Sequence, residues 1–488
     1  MAPDGHRMRV RNGVPGARVH VVPAGRRKGI WTGRKVRTVR PPAEGVVPGC
    51  AVFDRCGGCQ LQELGLSAQR RHKHEMALGM VRAGLGTDLD GVVVHEVQGA
   101  DAAYGYRNRI ELSFGVRRWL TEADQVAGLP HGGRFVGMHP PGRFDRIVDS
   151  ERCELASDGM NRVLAIVREH ALHEEAPPPR DVRTHEGFWR HVRVRESVGA
   201  DERLLTLFTT SPRSDADDAW VERVAEAALA EVVGVVWCVD DGVADVARGD
   251  VRRVWGRDHL VEHLTLPGDT TTRHFRLSPS SFFQTNTHGA EVLYGCIAEA
   301  VGAGGTLLDL YCGTGSIGIA LADRVERVIG VEEVASAVED AGRNAAANGV
   351  EATYQCAKVE DVVHELPLDA RIVVDPPRAG LHPRVAKALA GAQAEALVYV
   401  AEGWQAVDAD PACPWNVPDA EGMPWLDAYP KALAKEIRRR TLGLVARTSR
   451  GDGTWATWWS GERGAGASGT WTSSWAVRRT PQPTSPRR

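Results

Sequence analysis

Apolar and polar positions alternate with different periods along the chain. Ala17-Arg18-Val19-His20-Val21-Val22, Lys28-Gly29-Ile30-Trp31 and Lys35-Val36-Arg37-Thr38-Val39 place apolar residues between basic ones. Gly and Pro separate these stretches, the signature of short strands of a small β-barrel with a basic outer face. Residues 64–84 switch to a helical pattern, expected to pack beside the cysteines that precede it. From about 91 to 270 period two returns, in Val192-Arg193-Val194-Arg195, Leu204–Phe208 and Val235–Val239. Helical patterns interrupt around 160–170 and 220–229, and Pro177-Pro178-Pro179 is a rigid connector. That mixture predicts an α+β middle domain. The charged stretch Tyr106-Arg107-Asn108-Arg109-Ile110 and the turn Gly137-Met138-His139-Pro140 read there as surface. From 271 onward short apolar runs alternate with helices, the pattern of a parallel α/β sheet.

The most informative run is Thr306-Leu307-Leu308-Asp309-Leu310-Tyr311-Cys312-Gly313-Thr314-Gly315-Ser316-Ile317-Gly318. A buried strand ends in an acid, turns on glycines and enters a helix, the nucleotide-binding corner of a doubly wound sheet. Glycine allows the sharp turn and close approach of a ligand to the backbone. Gly313, Gly315 and Gly318 also satisfy G-x-G-x-x-G, so a nicotinamide cofactor has to be weighed. Two features favour S-adenosylmethionine. Asp309 at the strand end could hold an ammonium group, and Asp375-Pro376-Pro377-Arg378 follows the apolar run Ile372-Val373-Val374, where a dehydrogenase has no use for it. Val328-Ile329-Gly330-Val331-Glu332 forms the next strand and ends in an acid nineteen residues beyond Gly313. A carboxylate there accepts hydrogen bonds from both ribose hydroxyls of an adenosyl ligand. The following helix, 338–347, closes at Asn348-Gly349.

Composition narrows the class without changing that picture. The 488 residues are 43% hydrophobic and 25% charged, as in globular proteins of several domains. No apolar run has membrane-spanning length and no signal-peptide core opens the chain, so a cytoplasmic location is expected. Net charge is −3, yet residues 1–42 carry eleven Lys/Arg against the single acid Asp4, a local +10. Such a block is either a solvated arm or a polyanion-binding module. Trp31 within it either stacks on a base or fills a core.

Nine cysteines spread over this length do not make a disulfide framework. Cys50, Cys56 and Cys59 fall in C-x5-C-x2-C, with Cys153 far downstream. Four thiolates are the ligand set of a [4Fe–4S] cluster. Structural zinc, which prefers two C-x2-C knuckles, and a redox C-x-x-C are the alternatives.

Taken together, these motifs resemble the RNA uracil-C5 methyltransferase family, in its iron–sulfur branch that modifies rRNA or tRNA. The resemblance covers most of residues 14–401: a basic stretch like the later part of a TRAM domain, the cysteines, Tyr106-Arg107-Asn108-Arg109, Phe283-Gln284-Thr285-Asn286, the glycine corner, Gly330-Val331-Glu332 and Asp375-Pro376-Pro377-Arg378. It implies an α/β fold whose C-terminal unit is a Rossmann-like class I methyltransferase domain. An α+β central domain and a small N-terminal β-barrel-like segment would complete it. The expected divisions are 1–47 for the partial TRAM-like segment, 48–90 with 145–156 for the cysteine region, and 91–270 for an RNA-binding central domain. The methyltransferase domain would span 271–450, with an atypical insert at 402–429, and 451–488 would be a disordered tail. By that resemblance Gln284, Tyr311, Ser316, Glu332 and Asp375, with the turn at Gly313 and Gly315, would hold S-adenosylmethionine and order the target pocket. Cys50, Cys56, Cys59 and Cys153 would bind the cluster as a fold clamp. RNA is the implied partner of a monomeric enzyme.

The chain departs from that pattern where chemistry is most demanding. C5 of uracil is a poor nucleophile until a thiolate adds at C6, after which a base removes the C5 proton. The family's nucleophilic cysteine follows the strand Ala396–Ala401, but Glu402 stands there, and the family-like sequence resumes only at Pro430–Ile437. Cys413 is the one thiol of the insert. Residues 451–488 hold five tryptophans among Gly, Ser, Thr and Arg, and no His-Val-Glu like the family's base motif. An altered reading frame would account for both absences. The catalytic residues are therefore unassigned. A catalytically impaired RNA-binding paralogue stands as one alternative. Another is a methyltransferase acting on a different nucleophile such as an exocyclic amine, although Arg378 offers no aromatic face for it.

Overall fold

A computed structural model describes residues 8–27, 30–85, 93–377, 380–402, 442–447 and 455–460. Among the described residues the N-terminal strands β1 (Met8–Arg11), β2 (Arg18–Arg27) and β3 (Ile30–Arg40) form a three-stranded sheet in the order β1-β3-β2. Its alternation is inverted at one point. Lys35 is buried and pairs with Glu63 at 2.6 Å and Asp54 at 3.1 Å, while Val36 and Val39 face solvent. A buried ammonium needs such partners, and here they pin the sheet to the cysteine region. Helix α1 (Leu66–Leu85) follows. Its first turn packs Ala68 against Val14 and Leu64, and Ala77 reaches the core of the C-terminal domain, further than the cysteine region against which the helix was expected to lie.

After the short strands β4 (Val93–Val94) and β5 (Gln98–Gly99), the central domain is built from β6 (Arg109–Arg117), helix α2 (Glu122–Val126), β7 (Gly132–Met138), β8 (Val148–Asp149) and α3 (Asp158–Ala171). It continues through β9 (Trp189–Ser197), β10 (Glu202–Thr209), α4 (Asp215–Ala228), β11 (Gly234–Val239) and β12 (Asp250–Gly256). Seven strands pair in the order β12-β11-β10-β9-β6-β7-β8, with α3 and α4 packed on one face. Strand β9 is buried along its whole length, its arginines included. Its basic face is covered by the loop 240–249, whose carbonyls at Asp240, Gly242 and Ala244 accept from Arg190, and by Pro279 and Ser281, which accept from Arg193 and Arg195.

The hairpin β13 (Leu260–Thr265) and β14 (Thr272–Leu277) spans the expected boundary at 270. Leu264, Leu266, Phe275 and Leu277 belong to the C-terminal core, whereas Leu260 packs with β10 and β11 of the central domain, so the hairpin bridges the two. Helix α5 (Thr287–Val301) leads into β15 (Thr306–Leu310), α6 (Ser316–Ala320), β16 (Arg327–Glu332), α7 (Ala335–Ala347) and β17 (Ala352–Cys356). Then come α8 (Val359–Val362), β18 (Arg371–Val374), α9 (Pro383–Gly391), β19 (Ala396–Glu402), β20 (Leu442–Arg447) and β21 (Trp455–Ser460). The sheet order is β17-β16-β15-β18-β19-β20-β21-β4, parallel from β17 to β20, with β5 also pairing β21. Strand β21 lies within the stretch 451–488, of which it is the described part. Its tryptophan-rich segment finds hydrogen-bonding edges on β20, β4 and β5, which an isolated stretch without aliphatic residues lacks. Among the described residues no helix is long and apolar enough to cross a membrane.

Candidate functional site

The strand order reverses between β15 and β18, and open α/β sheets bind ligands at such a switch point. Beyond β15, Tyr311, Gly313 and Gly315 take φ values of 63°, 55° and 76°. Three left-handed residues in five turn the chain sharply, and for Tyr311 this conformation is strained. The glycines serve different ends. A Cβ on Gly313 would meet nothing within 4 Å, which leaves room for a ligand against the backbone. One on Gly315 would stand 2.6 Å from the Tyr354 hydroxyl, a packing constraint.

Glu332 ends β16 beside this turn. Its carboxylate accepts from the backbone N–H of Gly313 at 3.1 Å and of Val334 at 2.9 Å, one bond to each oxygen. The acid is thereby oriented while half-buried, with lone pairs remaining for a ligand. Asp375 follows β18, its backbone N–H donating to the Leu310 carbonyl at 3.3 Å. Asp309 behaves differently from expectation. It is completely buried, one oxygen accepts from Gly318 N at 3.0 Å, and the other has no partner. Burial first, then the charges of Asp375 and Glu332, push its carboxyl up to about 7. It braces the corner from inside instead of presenting an anion to an ammonium group. Burial also raises the Tyr311 phenol and, aided by Asp309 and Glu332, lifts the Cys312 thiol well above its ordinary value.

Gln284 sits 5% exposed in the loop between β14 and α5. The stretch Tyr106–Arg109, expected at the surface, is what holds that loop. Tyr106 and Asn108 are buried, and Asn108 Nδ2 donates to the Gln284 carbonyl at 2.7 Å and to Thr287 Oγ1 at 2.9 Å. Asn286 caps α5 by accepting from Gly289 N at 2.9 Å. At the middle of α5, the Tyr294 hydroxyl meets Ser316 Oγ at 2.8 Å. Tyr311, Gly313, Gly315, Ser316, Glu332 and Asp375 thus gather at one corner, and Gln284 is tied to it through α5. Thr287 and Tyr294 have no sequence signal beyond a hydroxyl and an apolar helix face, and Asn108 stood out only within the Tyr106–Arg109 motif, with nothing to announce its partners at 284 and 287.

Around the cysteines, Cys56 N donates to the Val52 carbonyl at 2.9 Å, Gly58 N to Cys56 Sγ at 3.3 Å and Gly57 N to the His139 carbonyl at 3.0 Å. Cys153 is gripped by Asn161, which accepts from its N–H at 2.9 Å and donates to its carbonyl at 3.1 Å. Burial pushes the Cys56 thiol up to about 11 and raises Cys50, with Cys153 contributing to both shifts. A thiol raised so far is a poor redox nucleophile, which weighs against the C-x-x-C alternative. Among the described residues, however, no three His, Cys, Asp or Glu side chains form a group that could hold a metal ion. Arg378, Cys413, residues 403–441 and the tail outside β21 lie outside the described residues.

Residues 215–361 match the family model described as tRNA (Uracil-5-)-methyltransferase. An uncharacterized RNA methyltransferase from Caldanaerobacter subterraneus is 33% identical over 81% of this chain and 85% of its own length. The tRNA (uracil(54)-C(5))-methyltransferase of Pyrococcus horikoshii is 31% identical over 79% of this chain and 84% of its own. The crystal structure of Pyrococcus abyssi tRNA (uracil-54, C5)-methyltransferase, complexed with S-adenosyl-L-homocysteine, superposes with a TM-score of 0.64 and 23% identity, covering 92% of this chain and 94% of that one. That superposition establishes the class I methyltransferase fold.

Proposed function

The chain belongs to the RNA uracil-C5 methyltransferase family, and on that premise we propose that it methylates C5 of a uridine in tRNA with S-adenosylmethionine as donor. The observation that carries the reading is the open face of Gly313 beside the doubly anchored carboxylate of Glu332. Ribose hydroxyls donate to such a carboxylate, and the glycine leaves space for the sugar. Tyr311, Gly315 and Ser316 would line the donor, and Gln284 and Asp375 would order donor and uracil. S-adenosylmethionine supplies an electrophilic methyl group there. The central domain would receive the RNA, through surfaces other than β9, whose arginines are buried and bonded to loop carbonyls. The choice of tRNA over rRNA rests on the family description and the Pyrococcus relative.

The four cysteines would hold a [4Fe–4S] cluster as a clamp between residues 50–59 and 153. The family resemblance and the thiol donor set support that assignment, although among the described residues the four thiols as placed do not form a metal-holding group, and no catalytic step passes through it.

The second reading, an RNA-binding paralogue without turnover, is favoured by β19 running into Glu402 where the family places its thiol. Cys312 does not replace it, because its thiol is buried and firmly protonated. Incubating the protein with S-adenosylmethionine and unmodified tRNA or rRNA transcripts, then analysing nucleosides by mass spectrometry, separates the readings. 5-Methyluridine in tRNA is expected. Its appearance only in rRNA reassigns the substrate, and its absence from both, with donor binding intact, supports the paralogue.

A further inference from the structure

The loop before α5 is held chiefly from another domain. Asn108, at the edge of β6, donates three hydrogen bonds to it: from its backbone N–H to the Thr285 carbonyl at 2.9 Å, and from its amide to Gln284 O and Thr287 Oγ1. Its own carbonyl accepts from Glu196 N of β9 at 2.9 Å, so the asparagine is locked in the central sheet. Arg193 Nη1 donates to the Pro279 carbonyl at 2.6 Å, and Arg195 to that of Ser281. The Thr287 hydroxyl passes the connection on, donating to Glu262 Oε2 at 2.8 Å. Glu262 is fully buried, and its carboxylate also accepts from Val198 N at 3.1 Å, beside the end of β9.

The far side of α5 reaches the donor corner. Leu293, Tyr294 and Ile297 are buried in the C-terminal core, which makes the helix a stiff element. Tyr294 is 1% exposed, and its hydroxyl meets Ser316, the first residue of α6 after the glycine turn. One rigid helix is therefore bonded at its start to the central sheet and along its length to the corner. A buried hydroxyl or amide without its partner costs more than the bond itself contributes, so a displacement at one end is felt at the other.

We propose that α5 couples the RNA-receiving central sheet to the methyl-donor corner, with Asn108, Thr287 and Tyr294 as positioning residues. It rests on the function proposed above. Coupling between two sites is reciprocal: if RNA tightens donor binding, the donor tightens RNA binding by the same factor.

The test measures binding of S-adenosyl-L-homocysteine to the full chain by calorimetry, with and without a saturating unmodified tRNA transcript. The parent is expected to bind it about fivefold or more tightly with tRNA present. Thr287→Val, which keeps shape and loses the hydroxyl, should bring that ratio close to one, and Thr287→Ser should keep it. Tyr294→Phe should abolish the ratio and weaken S-adenosyl-L-homocysteine roughly three- to tenfold. A purely structural role would lower the melting temperature and leave the ratio intact. Where Thr287→Val fails to fold, Tyr294→Phe decides alone, since it removes a single oxygen. Variants that keep the parent's ratio overturn the coupling, as does a parent that binds both ligands independently. A parent that binds no S-adenosyl-L-homocysteine overturns the donor reading itself, and the coupling with it.

Discussion

Glu332 and Gly313 stand 19 residues apart in sequence and are joined by a carboxylate-to-amide hydrogen bond of 3.1 Å. The bond links the end of β16 to the turn after β15, so one side chain shapes the glycine corner and offers an acceptor to a ligand. Glu332→Gln replaces one of two accepting oxygens by a donor and cannot satisfy both Gly313 and Val334. It should weaken S-adenosyl-L-homocysteine by roughly 10- to 100-fold, the scale of a hydrogen bond to a charged group. Calorimetry on a variant that melts like the parent checks this, and an unchanged affinity refutes it.

Asp309 gives the fold an inverted pH dependence. Its folded carboxyl titrates near about 7 against an ordinary 3.8, so between those values the folded chain holds a proton that the unfolded chain has lost. Stability must therefore fall as pH rises through that window and level off above it. Asp309→Asn can still accept from Gly318 and carries no ionisable proton. Its melting temperature relative to the parent should rise between about pH 5 and about pH 8. A gap that stays constant would show that Asp309 does not titrate there.

The central domain holds a second pH-sensitive cluster, in which a depressed acid acts in the opposite sense to Asp309 and a raised histidine in the same sense. Asp245 lies 3.3 Å from His139 Nε2 and 3.2 Å from His191 Nε2. Burial opposes ionisation of Asp245, but the two imidazoles hold it well below the usual carboxylate range. Burial likewise opposes charge on His139, and Asp245 with the Arg146 carbonyl raises it nonetheless. A raised histidine stabilises fully below its ordinary 6.5 and loses that contribution as pH climbs through its folded value. The depressed acid contributes above 3.8 and fails as pH falls. Asp245→Asn should therefore cost roughly 1–3 kcal/mol near about pH 6. The deficit should shrink near about pH 9, read from urea unfolding at both pH values.

Much of this was legible in the chain because local chemistry left few choices. Gly313 and Gly315 occupy left-handed positions that other residues resist, and Asn348-Gly349 ends α7 as its composition requires. Strand and helix patterns in 189–239 were equally plain. What failed depended on partners far along the sequence. Val192-Arg193-Val194-Arg195 has the alternation of a half-exposed strand, yet both faces are covered, because loops 240–249 and 278–281 supply carbonyls to the arginines. Lys35 is buried for the same kind of reason, its acids lying at 54 and 63. Asn108 illustrates the limit: nothing in Tyr-Arg-Asn-Arg announces that its amide will meet residue 284.

The cysteine assignment leads to the sharpest remaining expectation. Cys56 and Cys50 are protonated at neutral pH without metal, since burial lifts both thiols. Binding iron as thiolates must then release protons, and iron affinity should rise with pH. Protein prepared anaerobically with iron and sulfide should show broad visible absorption and bound iron, both lost in Cys56→Ser. Asn161→Ala supplies a second, independent handle, because Asn161 grips Cys153 through both backbone groups without being a ligand. If a cluster joins residues 50–59 to 153, loosening that grip should lower iron occupancy and melting temperature together in the iron-loaded protein. It should change the iron-free protein much less. Iron-free parent protein of full stability after anaerobic reconstitution would rule the cluster out and leave Lys35, through Asp54 and Glu63, as the local tie holding this region to the N-terminal sheet.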